Sequence, residues 1–275
     1  MISVLTNTTS LVSQTNLNRN NSALATSLSK LSSGLRVRSA ADDAAGLGIS
    51  ESFKARIRSL TQAKRNANDG VSLIQTAEGS LSETHAMLNR MRELAIQARN
   101  GTVNSTQRSY INNEFQQLKS EIDRVSASTE FNGLNVLNGD QAAGIVFQIG
   151  VGTSANDRLT VSIATSSSAA LGLTAASALS SVTSTDTAIS LLDSAINEVS
   201  TRRSTLGAMQ NRLAVTVSNL DTYTTNLSAA NSRIVDVDVA RETSELTKRQ
   251  VLTQAGAAML AQANQAPQIA LSLLG

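Results

Sequence analysis

Leu192, Val199, Leu206, Leu213, Leu220, Leu227 and Ile234 recur at every seventh position, with Ile189, Ile196 and Val217 interleaved. This stripe predicts a helix from about Ser184 to Ile234 whose apolar seam packs along other helices as in a coiled coil. A second stripe runs through Phe53, Ile57, Leu60, Ala67, Val71, Ile74, Leu81, Leu88, Met91, Leu94 and Ala98. Its helix is expected to start at Asp42 or Asp43 as N-cap and to stop at Asn100–Gly101. That span is about 58 residues, or roughly 87 Å of helix. A third helix carries Ile111, Phe115, Leu118, Ile122 and Val125 on one face, with Asn104 or Ser105 as its cap.

Between residues 131 and 165 the period changes from helical to alternating. Asn132–Gly133 and Asn138–Gly139 are turn dipeptides, and Phe147, Ile149, Val151 and then Leu159, Val161, Ile163 alternate with polar or small residues around the loop GVGTSAND. This predicts a β-hairpin within about 140–165. The uncharged, Ser/Ala/Thr-rich stretch of about 164–185 is expected to be a surface spacer. Residues 32–50 read as a linker in which Gly34, Gly46 and Gly48 weaken helix continuity.

The two ends share a property. Residues 1–18 and 250–275 carry no charged side chain, yet both are rich in Gln, Asn, Ser and Thr. Their apolar stripes are thin: Leu17, Leu24, Leu28, Leu31 and Leu35 at one end, Leu252, Met259, Ala263, Ala270 and Leu273 at the other. Burying a Leu or Met is worth roughly 1.5–3 kcal/mol, whereas ordering backbone costs about 1–2 kcal/mol per residue. Neither end is expected to hold a helix alone; each is expected to order among several copies. Leu17, Leu24, Leu31, Met259 and Leu273 are the candidate contacts of that assembly, and Leu206, Leu213 and Leu220 the candidate core of the rod. The fold class is mainly α: an elongated antiparallel helical bundle with a small β-hairpin region and paired helical tails. Its parts are a tail helix and linker at 1–42, a rod domain at 43–235 and a second tail at 236–275.

Composition narrows the function. The 275 residues include four Phe, two Tyr and no Trp, which suits narrow helix bundles of small and aliphatic side chains. One proline, Pro267, leaves most of the chain without an enforced helix break. A net charge of +2, from 23 basic and 21 acidic residues, implies no nucleic acid. The absence of cysteine removes disulfides, thiolate metal sites and Cys nucleophiles. The N-terminus lacks a basic region followed by a continuous apolar one, so no ordinary secretory signal is read, and no stretch is apolar enough to span a membrane. Taken alone, these features favour the cytoplasm.

Catalysis has few candidates. His85 is the single histidine and sits on the seam between Leu81 and Leu88. Asp42 and Asp43 precede a helix and read as caps. The GLG at 46–48 and GVG at 150–152 lack the strand–turn–helix setting of a phosphate loop. Arg90, Arg92 and Glu93, with Glu114 on the next helix, form an outward charge cluster, which by itself reads as a solvated face. No catalytic residue, metal or cofactor is expected.

At the level of motifs the chain resembles bacterial flagellin. LNRNNSALATSLSKLSSGLRVRSAADDAAGLGIS (17–50), LTQAKRNANDGVSLIQTAEGSL (60–81), NRMRELAIQARNGT (89–102) and EIDRVSASTEFNGLNVLNG (121–139) are similar to its N-terminal region. LGAMQNRLAVTVSNL (206–220), NLSAANSRIVDVDVARET (226–243) and QAGAAMLAQANQAPQIALSLL (254–274) are similar to its C-terminal region. DVAR at 238–241 departs from many relatives, which carry an aromatic there. The short 164–185 segment stands where many members insert large outer domains.

The resemblance implies a structural subunit of the bacterial flagellar filament, working in motility. In it the tails form an inner α-helical tube and the long helices an outer one. It also implies export through the flagellar type III apparatus and an extracellular location, which reverses the cytoplasmic expectation. The implied partners are further copies of the chain, hook-associated and cap proteins and the flagellin export chaperone. In some members, Toll-like receptor 5 recognises a patch similar to Leu88, Arg90, Leu94, Gln97 and Glu114 here. A hook–filament junction protein, which shares the tail architecture, remains the alternative.

Overall fold

The structure, a computed structural model, describes residues 6–174, 176, 179 and 181–272, with the side chains of these except 182 and 266–272. Five α-helices account for most of it: α1 (Thr8–Ser33), α2 (Ala44–Arg99), α3 (Ser105–Ser128), α4 (Val182–Val235) and α5 (Val239–Ser272). Between α3 and α4 lie β1 (Glu130–Phe131), β2 (Leu134–Asn135), β3 (Ile145–Gln148) and β4 (Arg158–Val161). The chain divides into two compact units, one made of residues 1–55 and 226–275, the other of 56–225. The divisions fall inside α2 and α4, away from the tail limits expected at 42 and 236.

Helix ends follow the local chemistry. The Asp43 carboxylate accepts the Gly46 N–H at 2.8 Å, so Asp43 caps α2. Gly46 and Gly48, expected to weaken a linker, instead sit in the first turns of α2. Gly46 is buried there, and a Cβ on it would collide with the Asp43 carboxylate; the glycine makes room for the cap. Asn104 and Gln107 form a reciprocal capping box at the start of α3, at 2.8 and 3.1 Å.

In the unit of residues 56–225, the heptad positions Leu192, Val199, Leu206, Leu213 and Leu220 of α4 are all buried. The first four share an aliphatic core with Ala67, Ile74, Leu81, Leu88 and Met91 of α2 and with Phe115 and Ile122 of α3. A hairpin forms within 140–165: β3 and β4 pair antiparallel, with Ile145 opposite Val161 and Phe147 opposite Leu159, while Ile149, Val151 and Ile163 of the alternating set lie outside the strands. Leu159 and Val161 point inward and Val146 outward. The Asn132–Gly133 dipeptide turns β1 into β2, Phe131 facing Leu134, with φ of 50° and 76° at the two turn residues.

The 164–185 stretch is not a surface spacer. Ser166, Ser168, Leu171, Leu173, Ala176, Leu179 and Thr185 are buried. Polar side chains of α3 hold its backbone: the Ser168 N–H and hydroxyl donate to the Asp123 carboxylate at 2.7 and 2.8 Å, and the Leu179 N–H donates to Asn112 at 2.9 Å. Leu171, Leu173 and Leu179 among Ser, Ala and Thr are too few to trace a helix or strand and gave no signal of burial, because irregular backbone can pack wherever side chains satisfy its donors.

Candidate assembly surface

The unit of residues 1–55 and 226–275 holds the two terminal helices, α1 and α5, side by side and antiparallel. The α1 residues turned from solvent include Ser10, Ser13, Leu17, Asn20, Leu24, Ser27 and Leu31, preceded by Asn7, a three-and-four spacing in which polar and apolar groups interleave. Several of the polar ones find partners on α5. Asn7 donates to the Ala263 carbonyl at 2.7 Å and caps α1 through the Ser10 N–H at 3.0 Å. The Ser10 hydroxyl donates to Asn264 at 2.7 Å. Arg249 pairs with Glu245 at 2.7 Å and reaches Asn20 at 3.4 Å. Leu17 lies against Gly256, where an added Cβ would come within 3.3 Å of its Cδ1.

This pairing buries little. Among the described residues of α1 and α5, only Ser27 and Ala263 are buried. Leu17, Leu24 and Leu31 are half-buried inside the chain's own helix pair, so the structure uses them first within one copy. A second set of apolar side chains faces solvent. On α5 these are Val251, Leu252 and Met259, 58 %, 39 % and 64 % exposed, sharing a face with exposed Ala255 and Ala258. On α1 they are Leu11, Val12 and Leu28, each at least half exposed. Helix α5 therefore carries apolar residues on two sides, of which α1 covers one. Met259 lies on the uncovered side. Leu273 lies outside the described residues.

In the same unit, residues 34–43 are fastened to the end of α4. Gly34 ends α1 with φ of 71°, and its carbonyl accepts the Val237 N–H at 3.0 Å. Leu35 bridges Asp236, and the Arg36 N–H donates to the Val235 carbonyl at 2.6 Å. Asp42 folds the following turn: its carboxylate accepts the Arg38 and Ser39 N–H groups, each at 3.1 Å. Those two backbone donors, with the Ser39 hydroxyl and the Arg38 charge assisting, hold its pKa below the ordinary aspartate value.

The expected receptor patch lies in the unit of residues 56–225, and only part of it is surface. Leu88 and Leu94 are 0 % and 1 % exposed and belong to the core, because the α2 face they share with Met91 is turned toward α3 and α4. Arg90, Gln97 and Glu114 are exposed. Arg90 pairs with Glu114 at 2.9 Å and Glu93 at 3.1 Å, and these hydrogen bonds, Glu114 first, raise its pKa. Arg92, read as part of this cluster, pairs instead with Asp193 of α4 at 2.6 Å.

The other candidate polar groups are engaged within the chain. His85 contacts Asn89 at 3.1 Å, and Asp42 and Asp43 are engaged as described. A cavity of about 240 Å³ lies beside Leu81, Ile163, Arg202 and Leu206. Arg202 is committed to the Thr165 carbonyl, the Ser166 hydroxyl and Glu198, which leaves that cavity no free charge for a substrate. Among the described residues no group of three or more His, Asp or Glu side chains could hold a metal, and no helix is long and apolar enough to cross a membrane.

Residues 4–142 match the bacterial flagellin N-terminal helical region, and residues 189–274 the bacterial flagellin C-terminal helical region. A flagellin of Bacillus subtilis is 47 % identical, over 94 % of this chain and 95 % of its own. Flagellin FlaB2 of Treponema pallidum is 42 % identical, with 98 % of each chain covered. Among solved structures, a Bacillus cereus flagellin is 32 % identical with a TM-score of 0.51, covering 61 % of this chain and 94 % of that one. A putative flagellar hook-associated protein of Vibrio parahaemolyticus reaches a TM-score of 0.58 at 12 % identity, over 67 % of this chain and 95 % of that one, a likeness of fold alone.

Proposed function

The chain belongs to the bacterial flagellin family, and from that premise we propose that its terminal helices complete their packing only on neighbouring copies as it builds the flagellar filament. The protein is a structural subunit, not an enzyme; it polymerises with itself, and its product serves motility. The observation that carries the proposal is the imbalance in α1 and α5. Among their described residues the two helices bury one serine and one alanine, while leaving Leu11, Val12, Leu28, Val251, Leu252 and Met259 in solvent. Apolar surface of that extent, most of it within the uncharged stretches 1–18 and 250–275, calls for a like surface. Ser, Thr, Asn and Gln in such a contact can pair with one another, whereas a charge would incur a far larger desolvation cost.

The remaining roles rest on family likeness. The filament lies outside the cell, and subunits reach it through the flagellar type III route. Cap and hook-associated proteins and an export chaperone are its assembly partners. Toll-like receptor 5 binds the monomer through Arg90, Gln97 and Glu114, with Leu88 and Leu94 supporting that surface from within. An Arg90→Ala monomer should then signal less than the parent at equal dose; a parent monomer as silent as the Arg90→Ala form would remove the receptor role, and equal signalling by two active forms would remove Arg90 from it. The assembly reading is tested by electron microscopy of purified protein. Long tubes are expected from the parent chain and none from Leu252→Asp, whose circular dichroism should stay helical. Normal tubes from Leu252→Asp would overturn the reading.

A further inference from the structure

The heptad seam of α4 that dominates the sequence cannot by itself say where along α2 it should lie. On α4, Leu206, Leu213 and Leu220 repeat every seven residues; on α2, Ala63, Gly70 and Ala77 do the same, and all six are buried. Gly70 receives Leu213, whose Cδ1 would lie 3.2 Å from an added Cβ. The same antiparallel offset sets Ala63 toward Leu220 and Ala77 toward Leu206. Sliding α4 by one heptad would again place leucines over small residues, so this stretch of the apolar seam fits nearly as well one step away.

The charges do not repeat in that way. Four ion pairs cross between the helices at nearly one offset: Lys64–Asp221 at 2.6 Å, Arg203–Glu78 at 2.8 Å, Arg92–Asp193 at 2.6 Å and Arg99–Asp186 at 2.6 Å. A slip of one heptad in one direction sets Lys64 against Ala214 and Glu78 against Ile196 and leaves Arg99 beyond the start of α4, keeping only Arg92 with Asp186. A slip in the other sets Lys64 against Ser228, Glu78 against Gln210 and Arg92 against Ser200, keeping only Arg99 with Asp193. Each displaced register loses three of the four pairs.

We propose that this ladder of ion pairs selects the α2–α4 register from among the heptad alternatives left open by the apolar seam. Each pair is half exposed and individually weak, so its value lies in discrimination between registers rather than in bulk stability. The consequence for a polymer is uniformity. One heptad at 1.5 Å per residue displaces the outer face of α4 by about 10 Å along α2, and a subunit so displaced would present a different surface to its neighbours.

The test uses the full chain, whose lack of cysteine allows two labels to be placed without background. Spin labels on Gln75→Cys and Asn219→Cys, exposed positions set apart along the helices, report register as a distance. The parent should give one distance. A variant carrying Lys64→Gln, Glu78→Gln, Arg92→Gln and Arg99→Gln should give a second population shifted by about 10 Å. Should that variant fail to fold, a chain with all four pairs reversed in sign should fold and return the single parental distance. A single unshifted distance in the folded neutral variant would overturn the proposal. So would failure of the sign-reversed chain to restore one register.

Discussion

Met259 offers the sharpest contrast between one copy and many. In the single chain its side chain is 64 % exposed, so shortening it should leave the monomer unchanged. If a neighbouring copy covers the exposed part, assembly gains that share of the roughly 1.5–3 kcal/mol due to full burial of a methionine, or about 1–2 kcal/mol per subunit. At about 1.4 kcal/mol per factor of ten, Met259→Ala should raise the critical concentration for polymerisation by roughly 5- to 30-fold. Met259→Asp should abolish polymerisation in the same range, since an unpaired carboxylate would have to be buried. Sedimentation of polymer against total protein gives the critical concentration, and a urea melt of the monomer supplies the control. An unchanged critical concentration in Met259→Asp would refute the assignment of this face. So would a monomer destabilised as much as the polymer, since the side chain would then act within the chain.

Three further outcomes follow from other parts of the molecule. Leu173, fully buried in a segment without regular structure, should cost about 2–5 kcal/mol on truncation to Ala in a urea melt, whereas a surface spacer would tolerate the change. Gly256→Leu should press into Leu17 and disturb the α1–α5 pair of the assembled subunit, seen as a raised critical concentration for polymerisation with the urea melt of the monomer unchanged. Asp42, Asp157 and Glu121 all have pKa values lowered, by backbone donors, by the Ser154 hydroxyl and by Arg124 respectively as the largest cause. Their contribution is therefore present above the ordinary carboxylate pKa of about 4 and is lost as pH falls through the lower folded values. Asp42→Asn should flatten the acid limb of a circular dichroism titration, and an unaltered limb would remove Asp42 from that role.

Periodicity carried most of the fold. The α4 seam, the α2 stripe with its Asn100–Gly101 stop and the Phe147–Leu159 part of the alternation are found where their periods put them, and of the two caps left open at each helix start the structure takes Asp43 for α2 and Asn104 for α3. Segments whose burial obeys no period were illegible: Leu171, Leu173 and Leu179 lie in a stretch held by Asp123 and Asn112, residues distant in sequence. Gly46 misled because a glycine that makes room for a cap looks the same as one that breaks a helix. At the assembly surface, the thin stripes and missing charges were visible, but their division was not. Sequence placed Leu17 and Met259 in one class, whereas the structure turns Leu17 toward Gly256 of the same chain and Met259 to solvent. Leu88 and Leu94 fell into the receptor patch by likeness, and only the packing of α2 shows them inside.

The central claim is that α1 and α5 own too little buried surface to stay ordered without further copies. Hydrogen exchange by mass spectrometry on dilute monomer and on assembled filament tests it directly. In the monomer, amides of Thr8–Ser33 and of α5 should exchange within seconds while those of Leu73–Ala98 and Leu192–Leu213 stay protected; in the filament all four stretches should be slow. Strong protection of both terminal helices in the monomer would contradict the account.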